Sequence, residues 1–180
     1  MHRRSLVSLC CSAAVALLTS SLAPLAPLAA HAAGGATSDA DRAFVAMVSQ
    51  GGMFEVEAGK VAARQGARQD IVDLGSTEAH DHQLVGAKLL AAASAAGIEV
   101  DTQLNAAFTQ RLDKLRGLSG PAFDDAFIAE MKTIHAADGA AFAKEARDGG
   151  DPGLRAFAAE TVRIVKRHQG ALHALPPENG

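Results

Sequence analysis

Three histidines and a glutamate carry the ligand chemistry of this chain. His82, His135 and His168 fall one each on three stretches of helical periodicity, and Glu55 takes the equivalent place on a fourth. Each lies in or beside an apolar stripe near mid-helix, which is what a metal site inside a helical bundle requires. Glu78 stands four residues before His82 and Asp138 three after His135, so each shares a helix face with its histidine. These two carboxylates are expected as supplementary ligands or as partners that orient the rings. Neutral imidazole and carboxylate together suit a divalent transition metal, and zinc, iron, manganese, copper and nickel are all compatible. The same residues also describe a hydrogen-bonded core without a metal, in which Glu55, Glu78 and Asp138 accept from the three histidines. A buried carboxylate or imidazole without a partner is costly, so in either case the groups must meet one another or an ion.

Four helices have to bring them together. The first is capped by Asp39 or Asp41 and runs to about Gln65, where Gly66 stops it. The second runs from about Arg68 to Ala96, ahead of Gly97. Residues 98–120 form a connector in which Leu104, Phe108, Leu112 and Leu115 mark one short amphipathic helix. The third helix starts around Ser119 or Gly120 with Pro121 and runs to about Asp148. Gly149-Gly150 turns the chain, Asp151 caps the fourth helix with Pro152 at its first position, and Pro176-Pro177 ends it. No stretch alternates with strand period. The expected fold is all-α: a four-helix bundle with a short extra helix between helices 2 and 3, built as two hairpins with one long connection.

The stripes give the inward faces. Ile71, Gly75, Glu78, His82, Val85, Leu89, Ala92 and Ala96 line the second helix, and Leu154, Ala158, Thr161, Val165, His168, Leu172 and Leu175 the fourth. Phe44, Val48, Gly51, Glu55, Ala58 and Ala62 line the first. Phe127, Met131, Ile134, Asp138, Ala141 and Glu145 line the third, with His135 at the edge of that face. Counting from the turns puts Glu55 opposite about residue 79, and His135 within one helical turn of His168, a rise of about 5 Å. The polar residues therefore share a common height. His80, His173 and Glu57 read as surface residues. Asp81 reads either as an exposed carboxylate or as a group orienting a neighbouring ring. Met47 and Met131 read as core filler, and Arg163, Lys166 and Arg167 as a solvated outer face.

The ends and the composition bound the rest. Arg3 and Arg4, an apolar run from Leu6 to about Leu28, and Ala30-His31-Ala32 have the pattern of a secretory signal peptide over residues 1–32. A flexible leader, 33–38, a bundle domain, 39–176, and a tail, 177–180, would follow. Cleavage after Ala32 leaves 148 residues, takes both cysteines (Cys10 and Cys11), and removes two of the 17 basic residues and none of the 20 acidic, moving the charge from −3 to −5. A mildly acidic chain with no Tyr and no Trp lacks both the basic field and the stacking platforms of a nucleic-acid binder. No later stretch is apolar for long enough to span a bilayer. The expected location is the periplasm, free or associated with the outer membrane.

The motifs Phe54-Glu55-Val56-Glu57, Gly59-Lys60 with Ala62, Asp81-His82, Phe123-Asp124 with Met131 and His135, and finally His168 resemble an exported bacterial domain family of unknown function. That family is often labelled "predicted outer membrane protein" and is grouped with ferritin-like bundles. The resemblance covers about residues 39–175. It implies a ferritin-like, envelope-associated helical bundle and supplies no activity. The chain departs from ferritin-type di-metal sites, which use Glu-x-x-His on two helices. It has instead Glu78-x-x-x-His82 and the reversed His135-x-x-Asp138, and the family pattern normally has apolar residues at 78 and 138.

Two function classes follow. The first is a non-enzymatic periplasmic bundle that binds a transition metal at Glu55, His82, His135 and His168, with Glu78 and Asp138 in support. The second is a metal-free envelope stress or interaction module with a protein partner, its polar core fixing helix register. An enzyme ranks third, since the chain has no nucleophile motif, phosphate loop or cofactor fingerprint.

Overall fold

The structure, a computed structural model, describes residues 37–175. The expected signal peptide, most of the leader, Pro176-Pro177 and the tail lie outside these residues. Five helices follow in order: α1 Asp39–Gln65, α2 Gln69–Ala95, α3 Ala106–Arg116, α4 Gly120–Asp148 and α5 Pro152–Ala174. No strand occurs among the described residues.

The helix ends are set by local chemistry. Ser38 caps α1 through its hydroxyl, which accepts from the Asp41 amide, while the Asp41 carboxylate accepts from the Ser38 amide. This reciprocal box corrects the expectation that Asp39 or Asp41 is the cap. Asp41 sits at the third helical position instead and spends its second oxygen on the Gly150 amide. Gly97, at φ +69°, closes α2 in the left-handed region, with Ile98 N–H donating back to Ala93 C=O. Asn105 caps α3 and Asp151 caps α5.

Polar contacts between the ends give the topology. Asp124, at the start of α4, accepts from the Ala67 and Arg68 amides in the α1–α2 turn. At the other end Asp41 holds Gly150 in the α4–α5 turn. Neighbouring helices around the bundle therefore run antiparallel, in the order α1, α2, α5, α4. The connector carrying α3 returns along the bundle against α1 and α4. Gln50 pins it at one end, donating to Gln103 C=O and accepting from Asn105 N–H, and Gln65 pins it at the other by donating to the Leu115 and Leu118 carbonyls.

α1 and α2 approach closely because Gly59 and Gly75 face each other. A Cβ on Gly59 would stand 2.6 Å from the Gly75 carbonyl oxygen, and one on Gly75 would stand 2.8 Å from that of Gly59. A glycine inside a helix costs about 1 kcal/mol against alanine, and here that loss is offset by backbone-to-backbone packing.

The apolar core is in two parts. One gathers Phe54, Ile71, Leu115, Phe123, Phe127 and Met131 beside the α1–α2 turn. The other gathers Phe44, Val85, Leu89, Phe142, Leu154 and Phe157 toward the α4–α5 turn. A layer of buried polar side chains lies between them. The inward stripes hold with five corrections. Phe142 is buried in place of Ala141, which is half-buried, and Leu175 is half-buried. Ala93 is buried in place of Ala92 and Ala96, which are half-buried. Met47 is 43% exposed and fills no core, because its position on α1 turns it away from the neighbouring helices. His135, placed at the edge of its face, has no exposed surface.

Candidate metal centre

Each helix of the bundle delivers its ligand-bearing residue to the polar layer. Glu55 comes from α1, Glu78 and His82 from α2, Asp138 and His135 from α4, and His168 from α5; all six are buried. One donor atom from each of Glu78, His82, His135 and His168 lies within 4.8 Å of the others. Glu78 Oε2 is 2.9 Å from His168 Nδ1, 3.3 Å from His135 Nε2 and 3.3 Å from His82 Nε2. His135 Nε2 is 3.2 Å from His168 Nδ1. Donors bound 2.0–2.1 Å from an ion in tetrahedral array are about 3.3–3.4 Å apart, and these four separations lie near that value.

The outer contacts decide which ring nitrogens face the centre. His135 Nδ1–H donates to the Met131 carbonyl at 2.8 Å, so Nε2 is left with its lone pair. His168 Nε2 is 2.9 Å from Asp81 Oδ2 and donates to it, leaving the lone pair on Nδ1. Arg167 holds the same Asp81 oxygen from outside. His82 Nδ1 is 3.0 Å from Glu55 Oε2, which turns its Nε2 toward Glu78. Carboxylate or carbonyl partners behind ligating imidazoles are the usual support of a bound metal.

The centre is poorly satisfied by protein alone. Neither oxygen of Glu55 or Glu78, nor His82 Nε2, has an aligned hydrogen-bond partner. The approaches are short, but the ring N–H directions miss the oxygens. Leaving several buried polar atoms unpaired is expensive, and a cation among them would satisfy them together.

Charge is shared in the same way. Burial works to raise the Glu78 pKa, but the close imidazoles of His135, His168 and His82 outweigh it and hold the carboxyl well below its usual range. Burial pulls His82 down, while the charge of Glu55 and the contacts with Glu55 and Glu78 override it and lift the ring to about 10. His135 is raised for the same reason, against its burial. Asp138 is pushed up to about 8 by burial and by the charge of Glu55. At Asp81, His168 and Arg167 outweigh burial and lower the pKa.

The residues singled out from the sequence thus meet in one layer with differing places. Glu78 stands among the three histidines, while Glu55 lies behind His82, 3.5 Å from His135 Nε2. Asp138 is outside the group of four and rests against α1, where a Cβ on Gly51 would come 2.7 Å from Asp138 Oδ2. Asp81 orients His168, one of the two roles its position allowed. His80, His173, Arg163, Lys166 and Arg167 are exposed; Glu57 is part-exposed and paired with Lys60. Sequence reasoning missed the Met131 carbonyl, whose only signal is its place four residues before His135. It also missed the pair of Asp41 and Glu145 at the far end of the bundle.

Among the described residues no helix is long and apolar enough to cross a membrane. No curated protein and no solved structure matches the chain. A family described as a domain of unknown function, DUF4142, matches residues 26–175, beginning ahead of the expected cleavage site. That stretch holds every residue of the polar layer, and the chain belongs to this family, DUF4142.

Proposed function

We propose that this protein is an exported helical bundle that binds a divalent transition metal at Glu78, His82, His135 and His168, with Glu55 and Asp81 holding two of the rings. The observation that carries the reading is the pair of ring nitrogens, His135 Nε2 and His168 Nδ1, that face each other at 3.2 Å while their opposite nitrogens are engaged elsewhere. Two lone pairs at that distance repel unless a cation lies between them. Three nitrogens and one carboxylate oxygen suit zinc, iron, manganese, copper or nickel. All four positions come from the protein, so the role is holding the ion, as in buffering, sequestration or metal-dependent stabilisation. Catalytic sites keep a position open. The cation can also be a proton. Raised pKa values at His82 and His135 favour imidazolium rings that neutralise Glu55 and Glu78. This supports a second reading, a metal-free polar layer that fixes helix register in an envelope stress or interaction module.

Thermal melts followed by circular dichroism separate the two, since the chain has no Trp or Tyr. Chelator-treated protein is melted alone and with zinc, manganese, copper, nickel or anaerobic ferrous iron. The metal reading expects a rise in Tm with one of them; no rise with any leaves the polar layer.

A further inference from the structure

An ion can occupy the centre only if it can reach it, and the four donors lie deep. Glu78 and His135 have no exposed surface, while His168 keeps 1% and His82 4%. Apolar clusters close the layer toward both ends of the bundle. On the α4–α5 side Gln169 donates to the His135 carbonyl, and a Cβ on Gly139 would already meet Gln169 Nε2 and Val165 Cγ1 at 3.3 Å. Where α1 meets α4, the Asp138 carboxyl fills the space over Gly51. On the α2–α5 side Asp81 is held between His168 and Arg167.

The face between α1, α2 and the connector differs. It holds a cleft of about 810 Å³, many times the roughly 30 Å³ share of one water. Gln83, Asp101 and Gln103 line its outer part and are exposed. His82 lines it as well, and it is the one member of the group of four that does. Two glycines widen the opening. A Cβ on Gly52 of α1 or Gly86 of α2 would meet nothing within 4 Å, so helix packing does not require glycine at either position. The Gln50 hydrogen bonds to Gln103 and Asn105 hold the connector wall in place.

We infer that this cleft is the passage by which the ion enters and leaves the proposed metal centre, His82 being the first donor that it meets. The passage presupposes the metal reading and requires no attraction from the walls, only open volume that reaches a donor. A passage sets the barrier and not the bound state. Narrowing it therefore slows uptake and release by the same factor and leaves Kd, their ratio, unchanged.

The test plugs the cleft chemically after the protein has folded. Gly86→Cys, and separately Gly52→Cys on the opposite wall, is labelled in parallel samples with a methyl or a benzyl thiosulfonate. Cys10 and Cys11 fall in the expected signal peptide, so the unsubstituted protein taken through the same labelling is the control. Stopped-flow mixing with a fast chromophoric indicator measures uptake and release of zinc, and of manganese, copper, nickel or anaerobic ferrous iron where zinc does not bind. The benzyl label is expected to slow both rates about tenfold or more, an added barrier of about 1.4 kcal/mol, with Kd and a cooperative melt retained. The methyl label is expected to slow them less. Unchanged rates with both benzyl plugs, or a loss confined to uptake or to release, overturns the inference. Faster exchange in Arg167→Ala beside unchanged rates in the plugged proteins would place the passage on the α2–α5 side. Binding with rates indifferent to the plugs sinks the passage alone, whereas no binding of any of the five ions by the unlabelled parent sinks the metal reading and the passage with it.

Discussion

His135 Nε2 and His168 Nδ1 stand 3.2 Å apart at the centre of the bundle, each aimed inward because its ring's other nitrogen is bound outside. Whatever cation lies between them joins α4 to α5, and through Glu78 to α2. If that cation is a metal, removing one donor abolishes its effect on stability. A metal at 100 times its dissociation constant adds about 2.7 kcal/mol, roughly 5–10 °C in Tm for a domain of this size. His168→Ala and Glu78→Gln are expected to lose that shift in metal-titrated melts. A shift that survives both substitutions would place the ion elsewhere.

Asp81 offers a subtler test, since it touches the ring of His168 and not the proposed ion. Asp81→Asn is expected to leave the far-ultraviolet spectrum unchanged and to weaken metal affinity about 10–100-fold. The loss arises because the amide no longer holds the proton on Nε2 as the carboxylate does. Competition titration against a chromophoric chelator would measure it. Equal affinity in variant and parent would show that Asp81 has no part in orienting the ring.

The metal-free protein should show a pH signature of the layer. His82 has a folded pKa of about 10 against 6.5 for the free side chain. The native state therefore binds more protons than the unfolded one between those values, and stability falls as pH rises through that window. Asp138, raised from 3.8 to about 8, adds a loss in the same direction at lower pH. Glu78 acts oppositely, because its lowered pKa makes stability fall as the medium drops below about 4.5. Urea titrations of chelated protein from pH 6.5 to 10 should show decreasing unfolding free energy. Saturating metal should flatten the decline, because it takes the place of the protons. A profile that rises over this range would contradict the charge arrangement.

Glu145 offers a prediction independent of the centre. Its carboxyl is buried beside Asp41, with Oε1 unpaired, and burial together with the neighbouring carboxylate lifts its pKa to about 7. A raised carboxyl pKa means that the native state holds a proton which the unfolded state has released above pH 4.5, so stability falls as pH climbs toward 7 and beyond. Glu145→Gln removes the charge and keeps a donor for Asp41. Its Tm should exceed that of the parent at pH 8 and converge with it near pH 4.5. The opposite ordering at pH 8 would mean that the ionised Glu145 is stabilising.

At the α1–α2 contact, Gly59→Ala should destabilise the bundle by about 1–3 kcal/mol. Its Cβ would meet the Gly75 carbonyl oxygen at 2.6 Å and the Ala79 amide nitrogen at 2.8 Å, and backbone atoms cannot turn aside. Denaturant unfolding measures this directly. A neutral result would show that the hairpin opens at little cost.

Much of this architecture was legible from the chain. Apolar spacing along each helix is a local property, and it places Glu55, Glu78, His82 and His168 on inward faces. Residue counts from the Gly66 and Gly149-Gly150 turns set their heights, because every helical residue rises by the same 1.5 Å. The same logic erred where a residue lay at the border of its stripe. His135 falls at the edge of a face drawn on an isolated helix, yet α5 packs over that edge and buries it. Met47 has core composition and an outward position. The cap of α1 was placed at Asp39 or Asp41 instead of Ser38, because Ser38 and Asp41 each satisfy the other's amide and either alone resembles a cap.

By itself, then, the sequence determined the all-helical fold, the two hairpins, and a set of histidines and carboxylates at one depth. Those features rest on periodicity, turn residues and chain length, which act over a few residues at a time. Only the tertiary structure decided that Glu78 meets the three rings while Glu55 stands behind His82, and that Asp81 and the Met131 carbonyl turn two lone pairs toward each other. It alone formed the cleft that reaches Asp138. Those outcomes depend on sub-ångström placement across helices and on a connector without strong periodicity, and only the packing of distant segments fixes such distances.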